Sequence, residues 1–207
     1  MMRLRNVKGA FDIISKSSYI VNDYNNYKGH FCDLFGNDNP IHIEIGMGKG
    51  DFIIGMALKY PDINFIGIEK YDSVMVRAVL KLENFSIPNL RLIRMDALNL
   101  CSVFDNEIET IYLNFSDPWP KERHSKRRLT SPVFLDMYDK IGHSIIMKTD
   151  NRKFFEYSVM SFNNYNYIID SLSLDLYNDD VSNNIATEYE KKFVNSGKVI
   201  YMIGVHK

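Results

Sequence analysis

Residues 114–128 read Asn-Phe-Ser-Asp-Pro-Trp-Pro-Lys-Glu-Arg-His-Ser-Lys-Arg-Arg, a lone carboxylate, Asp117, set against a dense cationic run. Six of the eight residues from Lys121 to Arg128 are Lys, Arg or His. An acid beside such a run suits a surface where one part handles a small reacting group and the other grips a polyanion through its phosphates. Pro118 and Pro120 flank Trp119, the only tryptophan, and stiffen the backbone that carries Asp117. Each part also has a plainer reading. Asp before Pro is a common turn former, a lone Trp is more often a core residue, and a charge run is usually a solvated helix start. Their union in one rigid segment favours function.

A second constellation lies upstream. Gly46-Met47-Gly48-Lys49-Gly50 follows an apolar run and opens a helical pattern. Glycines there permit a tight turn and close approach of the backbone to a ligand, although a plain strand–helix turn would look the same. Asp51 stands where a dinucleotide-binding Gly-x-Gly-x-x-Gly would place its last glycine, and Glu44 precedes Gly46 by two. Two acids repel a pyrophosphate. The loop therefore suits a ligand without phosphates and with a cationic group, and S-adenosylmethionine, with an ammonium, a sulfonium and no phosphate, fits. Glu69, 19 residues after Gly50, is placed to accept hydrogen bonds from a ribose diol, or else is a surface Glu that caps the next helix. Asp96 can reach an adenine amino group or cap the following helix, and one residue can do both. Lys148, Asp150, Arg152 and Lys153 add charge further on, and Thr187-Glu188-Tyr189-Glu190 has the spacing of a helix capping box.

Strand-like runs at Ile41–Ile45, Ile63–Glu69, Leu90–Met95, Ile108–Phe115, Ser144–Lys148, Tyr167–Leu174 and Val199–Val205 must position these residues. Helical patterns at 51–60, 72–85, 132–141 and 151–162 lie between them. Strands alternating with helices predict an α/β fold with a mostly parallel sheet, in which ligands bind at the carboxyl ends of the strands. Glu44, Glu69, Asp96, Asp117 and Asp150 all fall at such ends.

At 207 residues, 45% apolar and 25% charged, the chain suits one soluble domain over 41–207. Residues 1–40 read as an N-terminal extension without clear periodicity. Its Arg3, Arg5 and Lys8 suit an RNA-binding arm, or a disordered tail. No apolar run approaches a membrane span, and no signal-peptide core follows the first residues. Cys32 and Cys101 have no partner spacing for a disulfide or a metal, so a reducing, cytoplasmic setting and no metal are expected. The net charge of −1 does not announce nucleic acid; only the local run does.

Taken together, Glu44–Gly50, Gly67–Glu69, Asp96-Ala97, Asn114–Arg128, Lys148–Asp150 and Thr187–Glu190 resemble the bacterial tRNA (guanine-N7-)-methyltransferases of the TrmB type over nearly the whole chain. Asp-Pro-Trp-Pro-Lys followed by Arg-His-x-Lys-Arg-Arg is the specific part. The resemblance implies a class I, Rossmann-like methyltransferase fold: a seven-stranded, mostly parallel sheet with an antiparallel last strand. It implies methylation of N7 of guanine 46 in the variable loop of tRNA. It places Glu44, Gly46, Gly48, Glu69, Asp96 and Asp117 around S-adenosylmethionine, with Asp117 also the catalytic residue. Lys121, Asp150, Thr187, Glu188, Tyr189 and Glu190 would contact the substrate, with Asp150 and Glu190 candidates for holding the guanine edge. Arg123, His124, Lys126, Arg127 and Arg128 would contact RNA, and a homodimer is implied as well. Met47 stands where many members have Ser or Thr, so a hydroxyl contact is lost there.

Three rivals meet specific obstacles. An amino-group methyltransferase would need a second Pro where Asp117 stands. A nicotinamide oxidoreductase would need the missing last glycine. A non-catalytic RNA-binding protein would have no use for the intact set of acids.

Overall fold

The computed structural model describes residues 7–179 and 183–207. Seven strands, β1 (Ile41–Ile45), β2 (Asn64–Glu69), β3 (Leu90–Arg94), β4 (Ile108–Asn114), β5 (Gly142–Thr149), β6 (Ile168–Ser173) and β7 (Tyr201–His206), form one sheet in the order β3-β2-β1-β4-β5-β7-β6. All neighbours pair in parallel except β7, which runs antiparallel to both β5 and β6. The expected architecture and the odd last strand are both present. The strand order reverses between β1 and β4, the point where open sheets of this kind leave a ligand crevice.

Helices α1 (Ala10–Ser15), α2 (Asp51–Lys59), α3 (Asp72–Leu82), α4 (Leu100–Val103), α5 (Pro132–Ile141), α6 (Arg152–Asn164) and α7 (Glu188–Asn195) cover the sheet. Strand alternation sends Ile43, Ile45, Ile66, Ile68, Leu113, Ile145 and Met147 into the larger core, under α5 and α6. Phe65, Leu90, Leu92 and Tyr112 face the other way, under α2 and α3. The intervening residues Glu44, Glu69, Asn114 and Lys148 therefore share the α2 face of the sheet at the carboxyl ends of four strands. The register confirms their neighbourhood: Glu44 is level with Gly67 and Tyr112, and Asn114 is level with Lys148.

The segment before β1 is folded onto the domain. Ala10, Ile14, Val21 and Phe31 are buried, and Ile20 bridges to Leu92 of β3. It covers an otherwise open sheet edge, a common defence against unwanted pairing. Its burial comes from scattered apolar residues in two 3-10 turns and one short helix, which is why no periodicity announces it. Lys8 is exposed; Arg3 and Arg5 lie outside the described residues. No helix among the described residues is long and apolar enough to cross a membrane.

Candidate active site

The loop after β1 is built on three left-handed glycines, Gly46, Gly48 and Gly50, with φ of 76°, 60° and 79°. A Cβ at Gly50 would stand 2.9 Å from that of Ala78, so α2 and α3 pack together only because the loop ends in glycine. Met47 turns into the core and lies over Gly67. The side chain that replaces a hydroxyl therefore points away from the crevice and explains the glycine in β2.

Glu69 ties the loop to the next turn. Its Oε2 accepts from the Gly48 amide at 3.1 Å, and its Oε1 accepts from the amides of Lys70 and Tyr71 at 2.8 and 2.9 Å. Burial raises its pKa, and the three amide donors oppose the rise. Asp96 does cap the next 3-10 turn, accepting from Leu98 N–H at 3.0 Å, while its other oxygen holds Lys70 at 2.5 Å. The carboxylate is thus engaged twice, and Lys70 holds its pKa down.

Glu44 is 2% exposed. Its Oε1 accepts from Asn114 Nδ2 at 2.9 Å, but its Oε2 has no partner, and neither has Asn114 Oδ1. Burial pushes the carboxyl up to about 8, with Asn114 and the nearby Lys148 ammonium opposing the rise. Two orphaned, buried acceptors side by side are costly unless something donates to them. A cation rich in N–H groups, as at the amino-acid end of S-adenosylmethionine, fits these two acceptors, and the three left-handed glycines leave three of the five loop positions beside it without a Cβ. Residue types alone identified Glu44 but not Asn114.

The turn after β4 carries Asp117, which is exposed. Phe115 and Trp119 bracket it in the left-handed region, at φ of 52° and 40°, an uncommon conformation for bulky side chains and one met at functional turns. Arg128 locks this shape. It is 8% exposed, its Nε and Nη2 donate to the carbonyls of Pro118 and Trp119, both at 3.1 Å, and its guanidinium stacks on Tyr157 at 4.2 Å. Arg128 was expected among the RNA contacts; its donors are instead spent inward on the turn. Trp119 is half-buried, with Arg127 4.9 Å over its ring and His124 5.8 Å away. Arg123, Lys126 and Arg127 remain exposed, with His124 half-buried, on one 3-10 segment, Glu122–Arg127, and Lys121 just before it is exposed as well.

The residues of β5 and α7 divide. Asp150 is half-buried and paired with Lys198 at 2.5 Å. Thr187 caps α7 in the expected box with Glu190. Glu188 reaches Lys49 of the glycine loop at 2.6 Å, and Tyr189 is 45% exposed. Glu190 is 0% exposed and accepts from Lys148 Nζ at 2.7 Å, Asn184 Nδ2 at 2.6 Å, Tyr177 Oη at 3.2 Å and the Thr187 amide at 3.3 Å. Expected at the guanine edge, it is engaged here by these four donors and would have to exchange some of them to meet a base. Lys148, read from sequence as added charge at the end of a strand, is 3% exposed, and burial lowers its pKa against the pull of Glu190 and Glu44. The available signal was its place on a strand between β4 and β7: both faces of a central strand are covered, so a Lys there must be paired.

A separate cavity of about 370 Å³ opens at the amino ends of β1 and β4, among His30, Asp38, Glu107, Glu109 and His143. It lies at the opposite end of the strands from the glycine loop, and ligands of open α/β sheets bind at the carboxyl ends.

Comparison with known proteins supplies the chemistry. A family described as putative methyltransferase matches residues 38–203. A tRNA (guanine-N(7)-)-methyltransferase of Bacillus licheniformis is 49% identical over 98% of this chain and 97% of its own. Proteins of the same description from a Geobacillus species and from Bacillus subtilis are 51% and 49% identical, over 97% of this chain and 93% and 96% of theirs. Among solved structures, the 16S rRNA methyltransferase KamB superposes with a TM-score of 0.65 at 13% identity, covering 86% of this chain and 92% of its own. A 16S rRNA (adenine(1408)-N(1))-methyltransferase mutant with cosubstrate SAM gives 0.60 at 7%, over 90% and 92%. At such identities these two establish the fold alone.

Proposed function

The chain belongs to the tRNA (guanine-N(7)-)-methyltransferase family, and from that premise we propose that it methylates N7 of guanine 46, in the variable loop of tRNA, with S-adenosylmethionine as methyl donor. The observation that carries the site assignment is the half-satisfied Glu44–Asn114 pair, one turn of chain from the segment that holds Asp117 and the cations. S-adenosylmethionine, when bound, supplies a methyl group on a sulfonium: the carbon–sulfur bond breaks as a bond to N7 forms, leaving a thioether and a positive charge on the guanine ring.

Guanine N7 has an exposed in-plane lone pair, so no proton has to leave before attack. The protein's task is placement and charge stabilisation. Glu44 and Asn114 hold the cationic amino-acid end. Glu69, with one lone pair of Oε2 free beyond its three amides, accepts from the ribose. Asp96 accepts from the adenine amino group once Lys70 gives way. Asp117, held out by the braced turn, positions the guanine and stabilises the charge it gains, without acting as an obligatory base. Asp150, which Lys198 can release to solvent, and Glu190, at the first turn of α7, are the candidates for the guanine edge. Lys121, Arg123, His124, Lys126 and Arg127 contact the tRNA backbone. Thr187, Glu188 and Tyr189 form the opposite wall, with Tyr189 exposed toward the substrate side.

Methyl transfer to unmodified tRNA, followed by borohydride reduction and aniline, cuts the strand at 7-methylguanine. A cut at the variable loop is the expected result, and its absence would overturn the proposal. A homodimer accords with the edge strand β6, where Ile168, Ile169 and Leu172 are exposed. Light scattering at twice the chain mass is the expected result.

A further inference from the structure

We infer that Lys81, in the last turn of α3, is a positioning residue for the cofactor: by holding the Lys49 carbonyl it fixes the glycine loop in the shape that receives S-adenosylmethionine, a role that rests on the assignment of that loop to the cofactor. Lys81 lies outside every motif that marks the site, and it acts through the loop rather than on the ligand.

Three of the five residues from Gly46 to Gly50 are glycines in the left-handed region. Glycine gives up more backbone freedom on ordering than any other residue, and it brings no side chain to pack. Such a loop must be held from outside. Its first half is held by β2: the Gly46 and Met47 amides donate to the Ile68 carbonyl at 2.9 and 3.0 Å, and the Gly48 amide donates to Glu69 Oε2 at 3.1 Å. The second half closes on itself through the Gly50 amide, which donates to the Met47 carbonyl at 3.0 Å. Lys81 supplies the outside hold there. Its Nζ donates to the Lys49 carbonyl at 2.9 Å and to Asp51 Oδ2 at 2.8 Å, one on either side of Gly50.

One face of α3 does both parts of this work. A Cβ on Gly50 would fall 2.9 Å from that of Ala78, and Ala78 and Lys81, three residues apart, lie on the same side of the helix. That side gives the loop its room and then its donor. The Lys49 side chain meanwhile reaches Glu188 of α7 at 2.6 Å, so the residue that Lys81 holds by its main chain also ties the loop to the opposite wall. Stability does not account for the arrangement. The Lys81 and Asp51 side chains are 38% and 35% exposed, and an ion pair so open adds little. The bond to the carbonyl differs in kind: it selects one orientation of the Lys49–Gly50 peptide, which glycine leaves free to turn. A loop that samples other orientations binds its ligand with an affinity reduced by the fraction of time it spends in the right one.

The test is equilibrium binding of S-adenosylmethionine to the full chain by calorimetry, with a melting curve and amide hydrogen exchange for each variant. Lys81→Met keeps the stem and removes the donor. It should weaken binding by more than about threefold and lower the melting temperature by no more than about 4 °C. In the empty protein it should also speed exchange of the Gly50 amide while the amides of β1 and β2 keep their rates, a pattern that general loosening of the fold does not give. Lys81→Arg, which retains cationic donors, should bind within about threefold of the unmodified chain. The loss in Lys81→Met should persist in about 0.5 M salt, where separated exposed charges are screened; a loss that salt abolishes assigns Lys81 to long-range charge and overturns the inference. Binding by Lys81→Met within about threefold of the unmodified chain, or a Gly50 amide that exchanges no faster, overturns it as well. If Lys81→Met does not fold, Lys81→Gln, polar but one bond shorter, carries the same expectations and decides. An unmodified chain that binds no S-adenosylmethionine sinks the cofactor assignment itself; one that binds it, beside a Lys81→Met variant that binds it equally, sinks only the role given to Lys81.

Discussion

Replacing Glu44 with Gln should make the empty protein more stable while destroying its affinity for the cofactor, and the gain should follow pH in a defined way. The Glu44 carboxyl is held at about 8 in the folded chain against an ordinary 4.5. Between those values the folded state keeps a proton that the unfolded state has released. Stability therefore falls as pH rises from 4.5 to 8 and is flat above that. At about 1.4 kcal/mol per unit of difference, the loss is about 3 kcal/mol at pH 7 and about 5 kcal/mol above pH 8. Gln keeps the size of the side chain and the acceptor for Asn114 but cannot ionise, so it carries none of this penalty. For a chain of this length, about 3 kcal/mol corresponds to a rise on the order of 6–12 °C in melting temperature at pH 7. Thermal unfolding of both proteins from pH 5 to 9, without ligand, measures it: the two curves should nearly meet at pH 5 and diverge toward pH 8. Parallel curves, or a wild type whose advantage grows with pH, would refute the reasoning. Adding S-adenosylmethionine should raise the wild type by linkage and leave the variant where it was.

Asp117→Asn should retain tRNA binding while turnover of bound tRNA falls steeply, because the turn is fixed by Arg128 and not by Asp117; loss of RNA binding with normal single-turnover chemistry would contradict the role given to the carboxylate. Arg128→Ala removes two charge-assisted bonds to the turn and a stacked guanidinium, and should destabilise the fold by about 2–4 kcal/mol in denaturant unfolding. Arg123→Ala, by contrast, should leave stability within about 0.5 kcal/mol and reduce the slope of log affinity for tRNA against log salt by about one. Equal effects of the two Arg substitutions on stability would mean that the buried and exposed members of the run have been wrongly separated.

The sheet was legible because its central strands are short apolar runs buried on both faces, as in β1 and β2, and its helices begin at recognisable signals, such as Ser131 before Pro132. The helix expected over 72–85 stops at Leu82, where the Phe85 amide turns back onto the Leu82 carbonyl at 3.0 Å. The strand expected at 144–148 runs from Gly142 to Thr149; Gly142 fits against the Ile108 carbonyl, where a Cβ would clash, and no pattern within β5 itself could reveal that. Among site residues, acids at strand ends were visible one at a time. Which partner each would take was not. Arg128 and Arg127 are adjacent and chemically alike, yet one is buried under Tyr157 and the other lies exposed over Trp119. That distinction is set by a helix more than twenty residues further on.

The same limitation shows why the acids of this site divide into two physical kinds. Asp96, Asp150 and Glu188 are paired with Lys70, Lys198 and Lys49, each pair at least partly open to water. Such pairs contribute little to stability, so each acid can be released at small cost when a ligand or RNA arrives. Glu44 and Glu190 stand on covered faces, where releasing a partner is expensive. Glu190 has its full complement of donors, and its arrangement is complete without a ligand. Glu44 has one donor for two oxygens, and its arrangement is not. An enclosed carboxylate left half-satisfied beside one fully satisfied is the mark of a group whose missing partner is the ligand. The sequence motif treats the two as equals; the count of hydrogen bonds separates the acid left open to a ligand from the acid already closed on Lys148.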